Sequence, residues 1–220
     1  MSKRGDKLSD YRAGKRKNRN QRVGTRIPEL GYYLIVTDTD ETEKNYFEGL
    51  RDCIPKELKN RLVIKVEKED TVSLVEKALE LRSVEPQLRK AWIVFDRDEV
   101  KDFDKIIQEA EKNGANVGWA NPCFEIWLHA YFGKMPIVQK SSQSVGCFEN
   151  FSKEFSKVTK QKYSKNDREI YQKLIKYGDE KKAIEIAKKN YTEHSQNNKP
   201  SAMCPACTVY LLVEEIKSKV

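Results

Sequence analysis

The sequence predicts an α/β protein: a mostly parallel sheet of about four strands flanked by helices, followed by a helical C-terminal extension. Three observations predict it. Leu34-Ile-Val36 and Trp92-Ile-Val-Phe95 are short, wholly apolar runs of the kind buried on both faces of a parallel sheet. Each run leads straight into acidic groups: Asp38, Asp40, Glu41 and Glu43 after the first, Asp96, Asp98 and Glu99 after the second. Strand-like and helix-like stretches then alternate as βαβαβαβ, an order that specifies parallel strands joined by right-handed crossovers.

Taken in order, residues 1–30 lack apolar periodicity and read as a basic, disordered arm, with an α/β domain over 31–133 and a helical insertion and C-terminal extension over 134–220. The first strand is expected from Tyr32 to Thr37. The helix after it starts near Thr42, with Asp40 or Thr42 as N-cap, packs Tyr46, Phe47 and Leu50, and ends at Pro55. Arg61 to Glu67 is β-branched and reads as the second strand. Asp70 or Thr71 caps a helix through Val72, Val75 and Leu79. Trp92 to Phe95 is the third strand, and Asp102 to Asn113 a helix closed by Asn113-Gly114. Asn116 to Ala120 is the fourth strand, and Phe124 to Phe132 an aromatic helix. Residues 139–166 are rich in Ser, Lys and Gln and read as a loosely packed excursion in which Phe148, Phe151 and Phe155 are isolated anchors. Ile170 to Ile175, Lys181 to Asn190 and Thr208 to Ile216 read as helices returning to the body.

Charge narrows the partners. The chain carries a formal +8, and ten Lys or Arg against Asp6 and Asp10 place all of it in residues 1–27, leaving the body neutral. Such an arm suits a polyanion, because each phosphate contact releases counterions; Lys15, Arg16, Lys17, Arg19 and Arg22 are its candidate nucleic-acid contacts. A solvated tail with no partner is the alternative. No apolar run approaches the roughly 20 residues that span a bilayer and no signal core opens the chain, so a cytoplasmic protein is expected, without a membrane partner. Its five cysteines are then expected as reduced thiols. No glycine-rich phosphate loop is present, which argues against nucleotide hydrolysis. Homo-oligomerisation is left open.

The strand ends carry the chemistry. In an open α/β sheet the carboxyl ends of neighbouring strands share one crevice, where ligands bind. Carboxylates converging there cannot all stay ionised unless a cation joins them. Asp96 and Asp98, two apart on an extended chain, face the same side. Oxygen donors of this kind suit a hard cation, Mg2+ or Mn2+.

The runs Leu34-Ile-Val-Thr-Asp-Thr-Asp-Glu-Thr-Glu-Lys-Asn-Tyr-Phe47, Trp92-Ile-Val-Phe-Asp-Arg-Asp-Glu99 and Asn121-Pro-Cys-Phe-Glu-Ile-Trp-Leu128 together resemble the RloB-like family, over about residues 20–132, with a weaker echo near Pro205 to Glu215. That family is similar to the Toprim fold of topoisomerases, primases and OLD-related nucleases. It is associated with bacterial abortive infection and anti-phage defence, often beside an ATPase partner. The resemblance implies a Mg2+- or Mn2+-dependent nuclease with Asp96 and Asp98 as main ligands, Glu43 as ligand or water orienter, and Asp38 as acid/base or further ligand. Glu99 and Glu125 would stand behind them. Where the family usually has Glu-Gly after the first strand this chain has Asp38-Thr39, an acid one methylene shorter; Thr42-Glu43 and Asp96-x-Asp98 are intact.

Other residues carry competing readings. Arg97, pointing away from its aspartate neighbours, is expected in a fold-internal ion pair. Cys204-Pro-Ala-Cys207 has the spacing of half a zinc site, completed by His194, Cys147 or an oxygen ligand, or else is a pair of small buried residues. His129 is read as a packed histidine before a base, and Trp119 as core before a base-stacking platform. Lys157, Lys160, Lys162, Lys165 and Lys173, interleaved with Phe155, Tyr163 and Tyr171, form either a nucleic-acid surface or a solvated face. Two functions follow: a metal-dependent nuclease acting as defence effector, or a non-catalytic module binding nucleic acid or an ATPase, its acidic crevice a structural metal site.

Overall fold

The computed structural model describes residues 30–68, 71–84, 90–98, 100–136, 144–196 and 198–220. The basic arm, Asp70 and Glu99 lie outside them. Five strands form one sheet in the order β2-β1-β3-β4-β5. β1 (Tyr33–Thr37), β2 (Leu62–Val66), β3 (Lys90–Asp96) and β4 (Asn116–Asn121) are parallel, as the alternation predicts. β5 (Ala206–Cys207), which sequence reasoning missed, adds antiparallel to β4. Two residues flanked by Pro205 and Thr208 carry no strand periodicity. Tertiary bonds make the strand instead: Thr208 N–H donates to Trp119 O at 2.8 Å, and the Thr208 hydroxyl accepts from Trp119 N–H and donates to Val117 O.

Alternate residues of β1 serve opposite faces, which is why the whole strand is apolar. Tyr33 and Ile35 join one core, and Leu34 and Val36 the other. On the second face lie α2 (Thr71–Val84) and α3 (Phe103–Lys112), contributing Leu74, Phe103 and Ile106. On the first lie α1 (Thr42–Asp52), α4 (Glu125–Ala130), α5 (Ser144–Thr159), α6 (Ile170–Tyr177), α7 (Glu180–Ser195) and α8 (Val209–Lys217). Residues before and after position 133 thus share one core. A buried polar chain pins it: the Tyr46 and Tyr131 hydroxyls meet at 2.7 Å, Tyr131 and Tyr171 both donate to Glu180, and Lys217 pairs with Glu180 at 3.2 Å.

Two local expectations are corrected. Neither Asp40 nor Thr42 caps α1; Glu41 holds the cap position without a side-chain bond, and Asp40 turns outward to Lys68 at 2.7 Å. The stretch around Phe151 is no loose excursion but the 16-residue α5. Cys147, Phe151 and Phe155 recur at four-residue spacing, all within 1 % exposure, and Tyr163 packs edge-on to Phe151 at 4.7 Å. The abundant Ser and Lys of this segment lie on the helix's other faces and hide that spacing.

Close approach of α1 to α6 depends on Gly49, where a Cβ would meet Tyr171 Cβ at 2.6 Å. Alanine gains about 1 kcal/mol of helix propensity over glycine. Overpacking against an atom fixed to the backbone costs about 1–3 kcal/mol, so the clash wins. Gly49→Ala is expected to lower the urea midpoint; an unchanged or raised midpoint would show that α6 yields.

Candidate metal centre

Parallel pairing decides where the acidic segments end. β1 and β3 are adjacent, with Thr37 opposite Val94, so both chains leave the sheet at the same edge. Arg97 N–H then donates to Ala120 O and Asp98 N–H to Pro122 O, which ties the residues after β3 to the turn after β4. Asp38, Glu41, Glu43, Asp96, Asp98 and Glu125 consequently line one cleft of about 360 Å³, together with Thr39, Thr42 and Lys165. A second lobe, bounded by Cys123, Val145 and Phe148, continues from Asp96, Asp98, Glu125 and Lys165.

Its carboxylates differ in setting. Glu43, in the first turn of α1, is 5 % exposed and accepts a short bond from the Thr39 hydroxyl, whose residue is placed by Thr37 Oγ1 donating to Thr39 O at 2.9 Å. Burial, then the Asp38 charge, pushes the Glu43 carboxyl up to about 7. Burial likewise raises Asp38 to about 6, against the pull of its own and the Thr39 N–H groups. Asp38 Oδ1 is buried with no hydrogen-bond partner among the described residues. Asp96 is raised well above the usual carboxylate range by burial, then by Glu43, Asp38, Glu125 and Asp98. Asp98 is exposed, with φ at +26°, a conformation that aspartate tolerates better than most residues and that recurs at functional sites. Glu125, 2 % exposed, accepts from the Tyr163 hydroxyl at 3.1 Å, and Thr42 stands 3.2 Å from that hydroxyl.

The donor set fits a hard cation. Among the described residues its carboxylate and hydroxyl donors are oxygens and one carboxylate oxygen is buried without a partner, while mutual repulsion holds protons on groups that a cation would hold ionised. Among the described residues, no three His, Cys, Asp or Glu side chains already stand close enough to hold one ion. Binding therefore has to draw the carboxylates inward.

The predicted residues Asp38, Glu43, Asp96 and Asp98 are thus brought together, and Glu125 lines the cleft itself rather than standing behind it. Glu99 and the arm residues Lys15, Arg16, Lys17, Arg19 and Arg22 lie outside the described residues. Lys165 is the wall residue that sequence reasoning did not place here. The family model for RloB-like protein matches residues 33–216.

The chain belongs to the RloB-like family. No curated protein and no solved structure matches it. In this RloB-like chain the family match extends well past position 132, and so takes in α5 to α8 and β5 as well as the acidic strand ends.

The competing residues of the RloB-like chain settle as follows. Arg97 makes no ion pair among the described residues; its Nε and Nη1 are buried without hydrogen-bond partners, and Cys204 lies within its field. Cys207 is buried in β5 and Cys204 is half-buried before it, and neither belongs to a metal-holding group among the described residues. His129 is 3 % exposed, packs against Phe151, and is held neutral, its pKa lowered to about 4 by burial and Lys134. Trp119 is core, edge-on to Phe103. Phe155, Tyr163 and Tyr171 are buried, so the lysines around them have no exposed aromatic partners there. Among the described residues no helix is long and apolar enough to cross a membrane.

Proposed function

We propose that this RloB-like protein is a Mg2+- or Mn2+-dependent nuclease hydrolysing phosphodiester bonds of RNA or DNA, the effector of a bacterial anti-phage system, working beside an ATPase partner. One observation carries the reading: the ends of β1 and β3 deliver carboxylates from two distant segments into one cleft that a lysine also lines. A Toprim-like relationship, with its acidic residue after the first strand and its Asp-x-Asp after a later one, agrees with that placement.

Asp96, Asp98 and Glu43 would hold the ion, with Asp38 beside them. Bound there, a hard divalent cation supplies Lewis acidity and offsets the charge of phosphate and departing oxygen. Thr39 fixes the Glu43 carboxylate through its hydroxyl, so that its second oxygen is directed rather than free to rotate. Tyr163 does the same for Glu125. Asp38, with its pKa near 6, is suited to take a proton at Oδ1 from an attacking water near neutral pH. Being shorter than glutamate, it reaches less far, and the hydroxyl-bearing Thr39 after it occupies space that glycine would leave open.

The purified protein is to be incubated with total RNA, tRNA and plasmid in Mg2+, Mn2+ or chelator, alone and with a co-encoded ATPase where one exists. Products that need the metal and vanish in Asp98→Ala support the reading. Retardation of nucleic acid without products under every condition would favour the binding module instead, and products that survive Asp98→Ala would discard the carboxylate cleft as the cleaving site.

A further inference from the structure

The carboxylate cleft has a cation, Lys165, that forms no ion pair among the described residues. Lys165 comes from the turn after α5, about 120 residues beyond α1, yet lines both lobes of the cleft. Its backbone is fixed there: Lys165 O accepts from Asn45 Nδ2 of α1 at 3.2 Å. Its ammonium lies 5.7 Å from the centre of the Phe148 ring, a cation–π position that holds the head in place without using its N–H donors. Glu125, Glu43 and Asp96 face it electrostatically, but among the described residues none stands within ion-pair distance.

That separation is informative. A lysine serving only as counter-ion would close on a carboxylate, as Lys68 does on Asp40 and Lys90 on Glu215. Lys165 instead lines the cleft without an ion pair, among the described residues, to the carboxylates that suit a metal. An object touching both Lys165 and a metal held by the carboxylates must be anionic toward each, and a phosphate meets that requirement.

We infer that Lys165 grips a non-bridging oxygen of the substrate phosphodiester, so that the segment after α5 supplies the substrate-positioning wall of the site. This rests on the nuclease reading above, and the test separates the two. Binding of short DNA and RNA oligonucleotides carrying cleavage-resistant phosphorothioate linkages is to be measured across salt concentrations, with Mn2+ uptake followed by calorimetry. Lys165→Ala is expected to weaken oligonucleotide binding about tenfold and to reduce the slope of log affinity against log salt by about one. Lys165→Gln, which keeps the packing over Phe148, should match it, and Lys165→Arg should restore both values. Mn2+ affinity should stay within about threefold of the wild type in all three, since the ammonium touches no ligand.

A salt slope unchanged in Lys165→Ala, while the wild type binds both Mn2+ and oligonucleotide, overturns the role of Lys165 and leaves the nuclease reading standing. So does a Mn2+ affinity that moves in step with oligonucleotide affinity, which would make Lys165 part of the charge balance of the carboxylates. A wild type that takes up no Mn2+ removes the metal reading and the Lys165 role together.

Discussion

Asp96→Asn is expected to lose metal-dependent cleavage by about a thousandfold or more and, in chelator at neutral pH, to melt at a higher temperature than the wild type. The two effects have one cause. Asp96 ends β3 in a setting where burial, Glu43, Asp38, Glu125 and Asp98 all oppose its ionisation. The unfolded chain ionises freely, so denaturation is favoured by a charge that the folded state resists; asparagine, nearly isosteric, carries no charge in either state. The same substitution removes one of the carboxylate oxygens that would hold the cation. Transition-state stabilisation of about 4 kcal/mol, ordinary for a bound metal, corresponds to a factor of about a thousand. Melting curves in chelator and initial cleavage rates in Mn2+ check both halves. Lower thermal stability with activity retained would mean that Asp96 is a structural residue.

The stabilisation conferred by Mn2+ is expected to be small near pH 4 and to grow until about pH 7. Asp38 and Glu43 have folded pKa values near 6 and 7, raised above their unfolded values, so each favours the folded state below the unfolded value and loses that contribution as pH climbs through the folded one. For the fully buried Glu43 the loss is on the order of 3 kcal/mol in chelator. A metal reverses it, because the ion binds the deprotonated carboxylates and must displace protons below these values. At a hundredfold excess over its dissociation constant the gain is about 2.7 kcal/mol. His129, whose pKa is lowered to about 4, pulls the other way in the same range, its stabilisation lost as pH falls from its ordinary value. The comparison is therefore the difference between paired melts with Mn2+ and with chelator, from which His129 cancels. A difference independent of pH would place the ion away from Asp38 and Glu43.

What could be read in the sequence was whatever local periodicity encodes. β1 and β3 are legible because strands buried on two faces are apolar throughout, and the carboxylates because they follow those strands without a break. Parallel order then forces Asp38 and Asp96 to one edge. Illegible parts depend on contacts between distant segments. β5 exists because Thr208 bonds β4, not because Ala206-Cys207 prefers an extended chain. Lys165 reaches the cleft because Asn45 holds its carbonyl, a pairing across 120 positions that no spacing announces. Glu125 was legible as acidic and nearby, while its burial depends on Tyr163, from the segment whose composition masked a helix.

The late position of β5 and Lys165 in the chain bears on how the protein is made. Translation delivers β1 to β4 and all six cleft carboxylates before Lys165 and before Ala206-Cys207, the strand that extends the sheet beyond β4. A polypeptide still held in the ribosome exit tunnel at that stage has an unpaired β4 edge and an acidic hollow without Lys165. The hollow is thus complete only once Lys165 has been made, and until β5 follows, the nascent protein passes through an interval in which the β4 edge is open to mispairing.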